Sequence, residues 1–290
     1  MVRFVTAIVG GLTLGGIISI AGLGLVLVYR ATHTFNFAHG QMLVLSAFTV
    51  GYLQTRDVPL AIGLPVALAL GAGVGVAFYL LVLRRMAGQP LFMGIMATLG
   101  LAAVLEGLIG ILFRPGRYDI TVPGLPEGSV ELFGARVSQA SLVIFALTLS
   151  ISVSVVAALR YTHVGLRIRA AGQDAVLASQ CGLQVRRLHA GSWAIAAILA
   201  AVAGTSYGAT AGVNKSLVVL GLAALPAMML GGLDSIGGCV VGGFTIGVLQ
   251  QMTQTYLGGE YVDLVTYSLL LAVVLLYPQG LFGSKNVVRA

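Results

Sequence analysis

The side chains able to do chemistry in this 290-residue chain are few, and most fail on spacing. Its histidines are His33, His39, His163 and His189, its cysteines Cys181 and Cys239, and its lysines Lys215 and Lys285. The cysteines lie far apart and form no C-x-x-C pair, so neither a metal site nor a disulfide framework is signalled. Gly204-Thr205-Ser206-Tyr207-Gly208 matches the G-x-S-x-G of serine hydrolases. That motif needs a strand, a sharp turn and a helix. Here it sits in an alanine-rich apolar stretch, with no histidine in a later helix. The same glycines run on to Gly212 at four-residue spacing, a helix-packing face. Gly208 to Ser216 (GATAGVNKS) approaches a phosphate-binding loop, but Asn214 stands where glycine must precede Lys-Ser. The chain is therefore expected to bind no ATP, metal or cofactor and to carry no catalytic residue.

Three polar interruptions survive. The first is Asn36-Phe37-Ala38-His39-Gly40-Gln41. So many amide and imidazole groups at the start of an apolar stretch need hydrogen-bond partners or water. They suit either a helix cap or a break exposing polar groups to a translocation path. Asn36 and His39 are three apart and share a helix face, with Gln41 turned away unless the helix unwinds. The second is Gly165 to Gly204, where basic residues flank an alanine-rich segment from Ala170 to Ser179. One short helix is expected there, ending before Gly182 and suited to a cytosolic partner. The third is Leu230-Gly231-Gly232-Leu233-Asp234-Ser235-Ile236-Gly237-Gly238, which reads as a tight turn or as the counterpart of the first break. Glu106 is the only acid well inside an apolar stretch. A lone charge there costs about 2.5–3.5 kcal/mol, so it needs a partner. Arg114, two turns on, is one candidate.

The elements that must position these residues follow from composition. The chain is 58% hydrophobic and only 9% charged, against about 25% charged in a soluble domain. Mean hydropathy is +1.00. A soluble enzyme, a DNA-binding domain and a disordered tail are excluded, and the bases form no nucleic-acid stripe. A membrane helix needs about 20 apolar residues. Stretches free of charge fall at roughly 4–29, 31–55, 58–83, 86–105 (continuing to 113), 137–159, 188–214, 216–233, 235–259 and 264–284. The first is too long for the apolar core of a cleavable signal. The expected fold is an all-α polytopic membrane bundle of about eight to nine transmembrane segments, with broken or re-entrant pieces. It is read as one domain over 1–290. If all nine stretches cross, ten Lys/Arg fall on one side and six on the other. The ten-base side, with the C-terminus and the loop 160–187, is expected in the cytoplasm. The loop 114–136 is expected outside as a small cap with a hairpin. Paired glycines (Gly11/Gly15, Gly71/Gly75, Gly238/Gly242) offer packing surface that points to a second permease chain.

In combination, NFAHG after GLGLVLVYR, the loop GLRIRAAGQDAVLASQCG, and LGGLDSIGG before a Gly-rich helix resemble the LivH-type permeases of ABC importers for branched-chain amino acids. The resemblance runs over nearly the whole chain in the right order. It implies a bacterial inner-membrane subunit that does no chemistry itself. It further implies a LivM-like second permease, two cytosolic ATPase subunits and an extracytoplasmic solute-binding protein. Arg169, Ala170, Asp174, Ala178 and Gly182 would occupy the coupling helix that docks on an ATPase. Asn36, Phe37, His39, Gly40, Gln41, Glu106, Gly231, Gly232 and Asp234 are the candidate pathway residues. The family commonly has an acid after NFAHG, which could meet a substrate ammonium. Gln41 stands there instead, which leaves urea, amides, and aromatic or organic acids open beside amino acids. The rival reading is an ion-coupled secondary transporter, which would want membrane-embedded relay groups.

Overall fold

The computed structural model describes residues 2–86, 88–113, 116–126, 128–132, 134–277 and 279–283. Eleven α-helices and one hairpin account for most of them. Seven helical segments are long and apolar enough to cross a membrane. They contain α1 (Val2–Thr32), α3 (Leu60–Leu81), α4 (Leu91–Leu112), α5 (Gln139–Tyr161), α8 (Val185–Ala211), α10 (Ile236–Tyr256) and α11 (Val262–Leu276).

α11 reaches spanning length only with the 3-10 turn Gly259–Tyr261 before it, and two of the nine apolar stretches hold helices that lie outside the seven segments. In 31–55 the helix is α2 (His39–Gln54), and in 216–233 it is α9 (Leu217–Gly231). At 1.5 Å per residue they span about 24 and 22 Å, short of a hydrocarbon core of about 30 Å. Both are nonetheless deeply buried: every residue from His39 to Gly51 is inside the bundle. These are the broken pieces the sequence implied.

Helix pairing falls into two matching sets. α1 lies along α10, and α8 along α3. α2 wedges between α3 and α8, as α9 wedges between α10 and α1. α4 rests on α2, and α11 on α9. The segment before α2 thus has its counterpart at 212–216, before α9. The glycine run at 230–238 is not that counterpart. It closes the turn between α9 and α10, where Gly231 and Gly238 meet so closely that a Cβ on Gly231 would lie 2.2 Å from the Gly238 carbonyl carbon.

The paired glycines are consumed inside the chain. Gly11 and Gly15 pack on α10 at Val248 and Phe244, Gly71 and Gly75 on α8 at Ala197 and Trp193, and Gly242 on α9 at Ala227. The expectation that these faces were left over for a second chain is corrected. They let backbones of this bundle approach to packing distance, which lipid alone does not drive.

Between the two sets stand the hairpin β1 (Ser129–Leu132) and β2 (Ala135–Ser138), and the helices α6 (His163–Gln173) and α7 (Ala175–Gln180). The hairpin marks one end of the bundle, beside the start of α1. α6 marks the other, beside its finish.

Candidate functional site: the paired breaks and the helices of the loop 160–187

α1 ends where His33 takes a left-handed φ of 49° and its N–H closes on the Tyr29 carbonyl at 2.8 Å. The chain then runs without helix to Ala38. Asn36 turns it: its Oδ1 accepts from the Ala38 N–H at 3.1 Å. Such an Asx turn is a local alternative to helix. The freed backbone groups find α4, where the Phe37 N–H donates to the Thr98 hydroxyl at 3.3 Å. That hydroxyl lies 3.1 Å from the Phe35 carbonyl. Thr98 is fully buried, and nothing in the sequence singled it out.

The second break repeats the device. Val213 and Tyr118 exchange backbone hydrogen bonds of 2.7 and 3.0 Å at the hairpin end. Asn214 Oδ1 then accepts from the Ser216 N–H at 3.0 Å, and α9 begins at Leu217. The two short helices run in opposite senses. α2 finishes at the hairpin end, where the Gln54 side chain holds both backbone groups of Thr121. α9 finishes at the α6 end, where Asp234 lies near Arg30 at the finish of α1. Their early turns cross at Gly40 and Gly221, and a Cβ on Gly221 would sit 2.2 Å from the Gly40 Cα.

Beside this crossing a cleft of about 40 Å³ is lined by Gln41, Glu106, Lys215 and three apolar neighbours, Val44, Ile109 and Val218. The structure thus brings Gln41 and Glu106 together and adds Lys215, which sequence reading had met only in a failed nucleotide motif. Arg114, the suggested partner of Glu106, lies outside the described residues. Asn36 and His39 are buried to 2% and 1% exposure. His39 packs against Gly24 of α1 and near the Ala196 carbonyl of α8. The Ala21 carbonyl is near it, yet neither ring nitrogen completes a hydrogen bond. Gly231, Gly232 and Asp234 lie at the α6 end and do not join the cleft. At that end a cavity of about 360 Å³ opens at the foot of the first break, among Thr34, Arg84 and His189.

The loop 160–187 departs from the single expected helix. Asp174 breaks it. Its backbone ends α6, while its carboxylate accepts from the Val176 and Leu177 N–H groups at 2.9 and 2.8 Å, capping α7. A carboxylate at a helix start satisfies orphan donors, so two short helices replace one. Arg169 donates to the Leu159 carbonyl at 2.6 Å, tying α6 to the end of α5. Ala170 supplies the carbonyl that receives the Asp174 N–H. Ala178 is buried, and Gly182 adopts φ +81°. The five residues named from the resemblance therefore shape the loop, while Val176 and Leu177 stand 68% and 58% exposed. α6 is clamped to α1 at its far end. His33 Nε2 donates to the Gly172 carbonyl at 2.7 Å, and Gly172 lies directly on the Arg30 carbonyl.

A family described as the permease component of the branched-chain amino acid transport system matches residues 7–274. The chain belongs to that family. It is 27% identical to the high-affinity branched-chain amino acid transport system permease protein LivH of Salmonella typhimurium, covering 99% of this chain and 97% of that one. BraD of Pseudomonas aeruginosa is 24% identical, covering 99% and 98%. A probable LivH permease of Methanocaldococcus jannaschii is 26% identical, covering 94% and 91%. Among solved structures, PsaBC from Streptococcus pneumoniae in complex with Fab superposes with a TM-score of 0.53 at 13% identity, over 96% of this chain and 93% of that one. That likeness speaks to fold alone. As a family member whose described residues include seven helical segments long and apolar enough to cross a membrane, this permease is a multi-pass protein of the inner membrane.

Proposed function

We propose that this chain is one permease of a pair in an ABC importer. It passes a small polar solute, with a branched-chain or other amino acid as the leading candidate, by alternating access. The observation that carries this reading is the crossing of α2 and α9 at Gly40 and Gly221. Two short helices of opposite sense, each preceded by an Asx-turned break, meet inside the bundle. Interrupted helices in matching halves are the usual setting of a transport site.

The route passes the Gln41–Glu106–Lys215 cleft and continues along the first break to the cavity at the α6 end. Asn36, Phe37, His39 and Gly40 border it and are uncovered as α2 and α9 part. Gly231, Gly232 and Asp234 hold the far end of α9. The α6 end faces the cytoplasm, since Arg30, Arg84, Arg85, Arg167, Arg169 and Arg186 gather there. Its α6–α7 pair docks an ATPase subunit through Val176 and Leu177, and the His33–Gly172 clamp carries the ATPase stroke to the base of the first break. The second permease covers α4, whose outer face is exposed and, apart from the equally exposed Glu106, apolar. Energy comes from ATP bound by the partner subunits, and an extracytoplasmic binding protein delivers the solute.

The test is uptake in proteoliposomes holding the purified complex, with and without its ATPase subunits and binding protein. Uptake should require both. Transport by this chain without any ATPase, driven by a proton or sodium gradient, would replace the importer with a secondary transporter.

A further inference from the structure

We propose that residues 117–121 form an outer latch on the α2–α9 crossing. They bind the end of α2 to the second break and must release for the path to open away from the cytoplasm. This rests on the importer reading above, which supplies two alternating states and places the hairpin end outside.

The segment's two sets of bonds carry the inference. Residues 116–122 lie in no helix. Tyr118 exchanges both backbone bonds with Val213, four residues before α9 begins. Three residues on, Thr121 does the same with the last side chain of α2. Its carbonyl accepts from Gln54 Nε2 at 2.7 Å, and its N–H donates to Gln54 Oε1 at 3.0 Å. Packing follows the same two lines. Tyr118 fits on Gly51 of α2, where a Cβ would lie 2.7 Å from the Tyr118 Cβ. Its ring meets that of Phe48 edge-on, with centroids 5.5 Å apart. On the other side, Ile120 fits on Gly208 of α8, where a Cβ would lie 2.8 Å from its Cδ1, and Arg117 covers Gly212 at the start of the second break. Five consecutive residues thus grip both broken elements at one end of the bundle.

The end of α2 and the second break cannot part while both sets of bonds hold. The crossing at Gly40 and Gly221 is the closed gate, and it lies inward of this grip. The bonds are placed where they can be given up. The Gln54–Thr121 pair is exposed, and water replaces such hydrogen bonds at small net cost. Deeper in the membrane the freed groups would stay unsatisfied, and the glycine contacts there have no such substitute. Arg117 and Asp119 pair with each other at the surface, so the strap turns its charges to water. Val213 is fully buried beside it and is uncovered when the strap lets go.

The test uses the complete importer in proteoliposomes, with Cys181 and Cys239 replaced by alanine. Tyr118→Cys/Val213→Cys puts two thiols on a pair that exchanges both backbone bonds. Such Cα atoms stand about 5.5 Å apart, within the span of about 4.4–6.8 Å that a disulfide bridges. Oxidation should cut ATP-dependent uptake at least tenfold, with co-purification of the subunits within twofold, and reduction should restore it. Val130→Cys/Val137→Cys, a cross-strand pair inside the hairpin, should leave uptake unchanged in either redox state. Val213→Cys alone gives the second measurement. A membrane-impermeant thiol reagent outside should label it slowly at rest, and at least fivefold faster in one nucleotide-trapped state or in Gln54→Leu, which removes both bonds to Thr121. Full uptake by the cross-linked protein would overturn the proposal, as would failure of the resting protein to cross-link. One labelling rate in every nucleotide state, with and without Gln54→Leu, would overturn it too, and decides alone if the reduced pair does not transport. ATP-free uptake by the reduced pair would defeat the importer reading, and the effect of the disulfide on that uptake would still decide this one.

Discussion

Gly172→Ala isolates the clamp between α6 and α1. A Cβ at Gly172 would fall 1.9 Å from the Arg30 carbonyl oxygen, where ordinary contact begins near 3.4 Å. The oxygen belongs to the backbone of a buried helix and cannot turn aside, so α6 must retreat by roughly 1.5 Å. That displacement carries the Gly172 carbonyl away from His33 Nε2, now at 2.7 Å, and breaks the hydrogen bond. Overpacking of this kind costs about 1–3 kcal/mol, and the lost hydrogen bond about 0.5–1.5 kcal/mol. Alanine returns at most about 1 kcal/mol of helix propensity, and less at position 172, next to the helix end. A net cost of about 2 kcal/mol lowers the equilibrium constant for docking α6 on α1 roughly 30-fold, since about 1.4 kcal/mol is tenfold. The protein should still insert and purify, because α6 lies outside the spanning helices. The assay is solute taken up per ATP hydrolysed in the reconstituted importer, which should fall at least tenfold. Gly191→Ala in α8 meets nothing within 4 Å and should leave that ratio unchanged. His33→Gly keeps the left-handed turn but removes the donor, and should give a smaller fall of about threefold to tenfold. An unaltered ratio in Gly172→Ala would refute the idea that the stroke passes through this contact.

Gly221→Ala drives a methyl into the Gly40 backbone. It should loosen the α2–α9 crossing by about 1–3 kcal/mol, seen as lower thermal stability and a leak of small solutes; tight, stable vesicles would refute the crossing as the closed gate. With Cys181 and Cys239 removed, cysteines at 36 and 39 should react slowly at rest, as their burial demands, and faster in at least one nucleotide-trapped state. A single nucleotide-independent rate would return the motif to a helix cap. Asp174→Arg removes the α7 cap, and Ala178→Trp overfills a buried site. Each should weaken co-purification of the ATPase subunits with membrane insertion preserved, and full co-purification in both would refute α7 as the docking element.

The sequence by itself determined the class. Charge-free stretches of spanning length can only be satisfied as helices, so nine of them forced a polytopic bundle. The turn chemistry was also local. Asn36 marks its break because an Asx turn is written in a few adjacent residues, and the Gly-Pro-rich segment before α5 yields the expected hairpin. Partnership was not local. Pairing of 33–38 with 212–216 rests on which helix lies beside which, and a glycine does not say which backbone it will meet. Gly11, Gly71 and Gly242 therefore read as spare surface, although each is filled by a helix of the same chain. Thr98 is an ordinary threonine until the first break leaves backbone groups beside it. Asp174 looked like the centre of one helix because propensity sums smoothly across it, and its carboxylate decided otherwise by capping the next turn. Lys215 and Glu106, 109 residues apart, share a cleft only because α4 rests on α2 where α9 crosses it. Sequence spacing fixes which residues one helix can bring together; tertiary packing alone chose the three elements that surround this cleft.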